Sequence, residues 1–88
     1  MPERFRKTWR REIVSSEGFT IRLSGRNSLT YRDSLGTVRI ASEPTRGSGI
    51  SLTVFSDSIP DTHERSRAQV MGNIARAFAF AGWVLIPS

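Results

Sequence analysis

The feature that most constrains this chain is a change of hydrophobic period near residue 60. From Glu12 to Phe55 apolar residues recur at every second position, and beyond Pro60 they recur every three or four. The first period puts alternate side chains on opposite faces of a strand, whereas the second gathers them on one stripe of a helix. Thus "GFTIRL" sets Phe19, Ile21 and Leu23 against Thr20 and Arg22, and "SLTYR" sets Leu29 and Tyr31 against Thr30 and Arg32. "TVRIA" continues with Val38 and Ile40 inward, "ISLTVF" with Ile50, Leu52 and Val54, and "REIVS" adds a strand signal around Glu12 to Ser15. Between the strands, Gly25 and Asn27 in "SGRN" suit a hairpin, and "DSLG" has Asp33 and Gly36 at the first and fourth positions of a turn. "SEPTRGSG", residues 42–49, combines Pro44, Gly47 and Gly49 as an exposed loop.

In the helical stretch Asp61 is placed to cap, Glu64 to reach back, and Pro60 sits just before. Val70, Ile74 and Phe78 fall four apart and are joined by Met71, Ala75, Ala77 and Ala81, so one apolar face runs to Gly82 over about five turns. Gly82 ends the helix in the left-handed conformation, and "WVLI" returns to the sheet. The fold class expected is α+β: an antiparallel sheet of about five strands, one long C-terminal helix packed on one face, and a final strand. Gly72 costs about 1 kcal/mol relative to Ala inside a helix and is expected where helix and sheet come closest.

Eighty-eight residues support one core and hence one domain. No cysteine is present, which removes disulfides, thiolate metal sites and thiol nucleophiles. The basic start lacks the apolar stretch of a secretory signal, and "AGWVLIP" is far short of the roughly 20 residues that span a bilayer, so a cytoplasmic protein without a membrane partner is expected. Of the net charge of +5, residues 1–11 hold five cations and one anion, whereas residues 12–88 hold eight cations and seven anions. The division expected is therefore a basic arm, residues 1–11, before a nearly neutral domain, residues 12–88.

Catalytic chemistry finds little to build on. The only histidine, His63, lies with Asp57, Asp61 and Glu64 before and in the expected first helical turn, where acids complement the helix dipole. No serine sits in a nucleophile elbow, and Gly47 and Gly49 precede a strand rather than the helix that a phosphate loop requires. No catalytic residue, metal or cofactor is expected. In the arm, Phe5 and Trp9 are four apart, as are Arg6 and Arg10, so a short helix would segregate aromatic and basic faces. Arg4, Arg6, Lys7, Trp9, Arg10 and Arg11 then form a nucleic-acid-binding candidate.

The succession "GFTIRLSGRNSLTYRD", "LTVFSDSI" and "ERSRAQVMGNIARAFAFAGWVLI" resembles the small bacterial immunity-protein family called immunity protein 74, over residues 18–86. The positions that carry the likeness are Gly18, Ile21, Gly25, Leu29, Asp57 to Ile59, Ile74, Phe78 and Gly82. After "DSI" the family usually has a Trp and two Pro, where this chain has "PDTHE"; members also tend to be acidic, and this chain is basic. The resemblance implies a non-enzymatic antidote that neutralises a cognate protein toxin of a polymorphic-toxin or contact-dependent inhibition system. Asp57, Asp61, Glu64, Arg46 and Ser48 are the toxin-contact candidates. A free edge strand, such as one beginning at Ile50, could also pair with the partner or with a second copy as a homodimer.

Overall fold

The computed structural model describes residues 3–9, 11–25, 27–45 and 49–88, the side chain of Trp9 excepted. The class is α+β, with a seven-stranded sheet whose spatial order follows the chain: β1 (Phe5–Trp9), β2 (Glu12–Ser15), β3 (Thr20–Leu23), β4 (Ser28–Asp33), β5 (Gly36–Pro44), β6 (Ser51–Val54) and β7 (Val84–Pro87). The helix α1 (Arg67–Ala81) connects β6 to β7. The first six strands form an antiparallel meander, but β7 runs parallel to β6. The sheet is therefore mixed rather than antiparallel, because a helix inserted between two neighbouring strands brings the chain back to the same end.

Two strands exceed the expected number. β2 is the "EIVS" segment, and β1 comes from the segment set apart as a basic arm, which pairs Phe5 with Ser15, Arg6 with Val14 and Lys7 with Ile13. It is a strand and not a short helix. β5 carries the curl of the sheet, since Gly36–Ala41 pair with β4 whereas Ser42–Pro44 pair with β6. The expected exposed loop from residue 42 accordingly begins as strand. β6 has neighbours on both sides, so the strand near Ile50 is not a free edge; the edges are β1 and β7.

The inward parity read from the sequence is kept: Phe19, Ile21, Leu29, Tyr31, Val38, Ile40, Leu52 and Val54 are buried, and α1 covers them with Val70, Ile74, Ala77 and Phe78. Ala75, expected on the apolar stripe, is exposed. Phe78 meets Trp83 edge to face at 5.4 Å between centroids, so the turn after α1 closes the core. Phe5 reaches Phe19 at 6.2 Å and Phe80 at 5.4 Å, which brings β1 back against the helix.

The helix starts later than expected. Ser66 is the N-cap and accepts from the Gln69 N–H at 3.0 Å. Asp61 still caps, from a distance, by accepting the Arg67 N–H at 2.9 Å, while Thr62 and Arg65 close a turn between them. Gly82 ends the helix with φ of 75°, a left-handed conformation that glycine adopts without a Cβ penalty. A Cβ added at Gly72 would meet only the Arg76 Nη1 at 3.7 Å, so this glycine faces no sheet and marks no close approach. Among the described residues no helix is long and apolar enough to cross a membrane.

Candidate functional site

A polar cleft of about 440 Å³ lies between the first half of α1 and the turns after β2 and β4. Its floor is set by β4. Leu29, Tyr31 and Asp33 share one parity on that strand, so the inward face that buries Leu29 and Tyr31 also carries a carboxylate. An acid there needs a partner, and Arg65, just before the helix, supplies it. Its Nη2 donates to Asp33 Oδ1 at 2.5 Å and its Nε to Oδ2 at 3.1 Å, a two-pronged pair with only 12% and 16% of the Arg and Asp side chains exposed. The Leu35 N–H also donates to Asp33 Oδ1, and the Arg65 guanidinium lies 6.0 Å from the centre of the Tyr31 ring.

A second chain of contacts forms the other wall. Asn73 Nδ2 donates to the Tyr31 hydroxyl at 2.9 Å, and Arg76 Nη2 donates to Asn73 Oδ1. Arg76 Nε donates to Glu3 Oε1 at 2.6 Å, and the Ser15 hydroxyl donates to Glu3 Oε2 at 2.6 Å. The helix is thereby tied to β4 on one side and to the chain entering β1 on the other.

These contacts fix the charge states. Burial alone would raise the Asp33 and Glu3 carboxyls, but the hydrogen bonds from Arg65 and the Leu35 N–H hold Asp33 below its ordinary value, and those from Arg76 and Ser15 do the same for Glu3. Burial pushes the Tyr31 phenol up, with the nearby Asp33 charge acting in the same direction against Asn73 and Arg65. The acids thus stay ionised and the phenol protonated at neutral pH. The Arg65–Asp33 and Arg76–Glu3 pairs each cross an element boundary, an arrangement suited to holding the helix on the sheet, while Glu17 and Glu64 line the cleft as exposed carboxylates.

The sequence-derived candidates do not assemble into one site. Glu64 is exposed at the mouth of the cleft; Asp57 is exposed in a 3-10 turn, Ser56–Ser58; Asp61 is exposed and engaged with the start of α1. Arg46 and Ser48 lie outside the described residues. Of the basic arm, Arg4, Arg6, Lys7 and Arg11 are exposed, Arg10 lies outside the described residues, and of Trp9 only the backbone is described. Strand alternation divides the cations of β1: Lys7 shares the inner face with Phe5 and places its Nζ 5.7 Å from the Trp83 ring, while Arg6 points to the outer face. His63 is exposed, and among the described residues no three His, Asp or Glu side chains converge on one point.

Asp33 was legible in the sequence as a turn residue, and its shared parity with Tyr31 was the available sign that it needs a cation. Nothing local joins Arg76 to Glu3, which are 73 positions apart.

The two edges of the sheet differ in character. β1 carries Arg6 and Lys7 and a register irregularity between Lys7 and Trp9, devices that discourage further pairing. β7 carries no charge, and its only such devices are its length of four residues and the terminal Pro87. No residue from Ala77 to Ser88 has a charged side chain, and on β7 Val84 and Ile86 are 53% and 41% exposed. No protein-family model, curated protein or solved structure matches the chain.

Proposed function

We propose that this chain is a non-enzymatic recognition protein that neutralises a partner protein of the toxin class, and that the partner docks on the β7 edge. The observation that carries the reading is the uncharged rim: β7 pairs with β6 alone, and its outward side chains are Val84 and Ile86. A short apolar edge strand offers both unpaired main-chain groups and side chains to desolvate, the two ingredients of strand addition. The order of elements supports it too, because the meander, the "DSI" turn, the helix and the last strand follow the succession that resembles the immunity proteins. The paired walls of the cleft give such a protein its rigidity, which lowers the ordering cost of binding.

Co-expression with the toxin-like product of an adjacent reading frame tests the proposal. The chain is expected to restore growth and to co-purify with that product, and the double variant Val84→Lys/Ile86→Lys to lose binding by at least about tenfold, since anchors at an interface centre dominate affinity. Its thermal midpoint should stay near that of the parent, because both side chains are already exposed. A toxic neighbour that the chain neither rescues nor binds would remove the assignment.

A further inference from the structure

The outer face of the sheet, away from α1, bears a cluster of arginines that the folded structure does not use. In register, Glu12 stands opposite Arg22, Arg22 opposite Thr30, and Thr30 opposite Arg39; one row along, Thr20 stands opposite Arg32 and Arg32 opposite Thr37. Arg22, Arg32 and Arg39 therefore occupy diagonal positions on β3, β4 and β5, about 7–8 Å from one to the next. Arg6 on β1 is directed to the same face, in the row of Arg32. All four are exposed, and around Arg22 and Arg32 the surface sinks into a shallow depression of about 180 Å³.

Like charges gathered at diagonal positions on one face repel one another unless something opposes them. Among the described residues the ion pairs are Arg65 with Asp33 and Arg76 with Glu3, both on the helix side. Glu12, opposite Arg22, instead accepts the Thr8 hydroxyl at 2.6 Å. The guanidiniums alternate with the hydroxyls of Thr20, Thr30 and Thr37, and both groups donate to phosphate oxygens. On β3 to β5 this face carries no large apolar side chain to enter a lipid surface.

We infer that this face is a binding surface for the phosphodiester backbone of nucleic acid, with Arg22, Arg32, Arg39 and Arg6 as its phosphate contacts. Recognition is of the backbone alone, because the described side chains of the face include no aromatic ring to stack on a base and no fork aimed into a groove. The surface is separate from the β7 edge, so it holds or fails independently of the partner reading above.

Fluorescence anisotropy with a labelled mixed-sequence DNA duplex of about 20 base pairs tests it, across roughly 50 to 200 mM salt. Affinity near 10⁻⁵ M is expected at physiological salt, with log affinity falling against log salt at a slope of about −3.6 for four contacts. The variant Arg22→Gln/Arg32→Gln/Arg39→Gln should reduce the slope to about −0.9 and lose at least tenfold in affinity at the low-salt end, with an unchanged or higher melting midpoint. Lys7→Gln/Arg11→Gln should keep most of the slope. The inference is overturned if the outer-face variant binds with the parental slope, if the second variant is the one that loses binding, or if phosphatidylglycerol vesicles displace the duplex at equal charge.

Discussion

Replacing Asp33 by Asn tests whether the cleft holds the helix on the sheet. The carboxylate receives two donors from Arg65 and one from the Leu35 N–H, with the pair mostly sheltered from water. A fully exposed pair contributes about 0–1 kcal/mol, and breaking a fully buried one costs about 3–5 kcal/mol. Hydrogen bonds to charged groups are worth about 1.5–3 kcal/mol. At 12% and 16% side-chain exposure the loss should be about 2 kcal/mol, moderated because Asn keeps one acceptor. For a domain of this size that is a fall in melting midpoint of roughly 8–16 °C. The pH dependence gives the sign. The folded-state carboxyl is held below its ordinary value, so the stabilisation is present above that ordinary value and fades as pH falls through the folded one. Parent and Asp33→Asn should therefore differ at neutral pH and converge in acid, as followed by urea unfolding at a series of pH values. Adding Arg65→Met and the double variant completes a cycle whose coupling should be about 1–2 kcal/mol. A difference below about 0.5 kcal/mol at neutral pH, or one that persists undiminished in acid, would refute the reasoning.

Two further substitutions examine the helix. Ser66→Ala removes the acceptor of the Gln69 N–H and should cost about 1 kcal/mol in chemical unfolding; a helix beginning at Thr62 instead would make the change nearly silent. Gly72→Ala should stabilise by about 0.5–1 kcal/mol, read as a higher melting midpoint, because the added methyl meets only the Arg76 guanidinium at an ordinary distance while the unfolded chain loses freedom.

What could be read from the sequence is what depends on parity and period. The buried apolar residues of β3 to β6 and the Val70–Ile74–Phe78 stripe follow directly from them, and the left-handed Gly82 from its residue type at the end of that stripe; Ser42, expected in an exposed loop, is instead buried on β5. The residues before α1 misled because Asp61 followed by Glu64 is a sound local capping signal; the chain makes a turn at Thr62–Arg65 first, and Asp61 caps across it. β1 escaped because a run of cations with two aromatics has no apolar alternation. Its strand is set by the hairpin ladder to β2, which is local, and by the Glu3–Arg76 and Phe5–Phe80 contacts, which are long-range. The cleft is equally non-local: Asp33 finds Arg65 at 32 positions' separation, and Tyr31 finds Asn73 at 42. Counting charge along the chain likewise hid the outer-face arginines, since of the acids that balance them in number only Glu12 and Glu43 share their face of the sheet.

The last strand joins these observations to function. "WVLI" is apolar on both parities, the pattern of a strand covered on both faces in the interior of a parallel sheet. Within the fold it has only half of such an environment. Trp83 and Leu85 pack toward the core, β6 supplies one parallel neighbour, and the outward face and the far edge meet solvent. The position follows from topology: a helix that returns the chain to the same end of the sheet must deliver the next strand parallel and, after six strands used in order, beside the sixth. Folding therefore accounts for β7 lying at the rim but not for its lack of charge. Elsewhere on the outer face the sequence places Arg, Thr, Ser and Glu with only Val14 and Ala41 among them, and at the other rim Arg6 and Lys7. Val84 and Ile86 are thus left exposed on an uncharged rim, and under the proposed function they are the anchors that the Val84→Lys/Ile86→Lys variant removes.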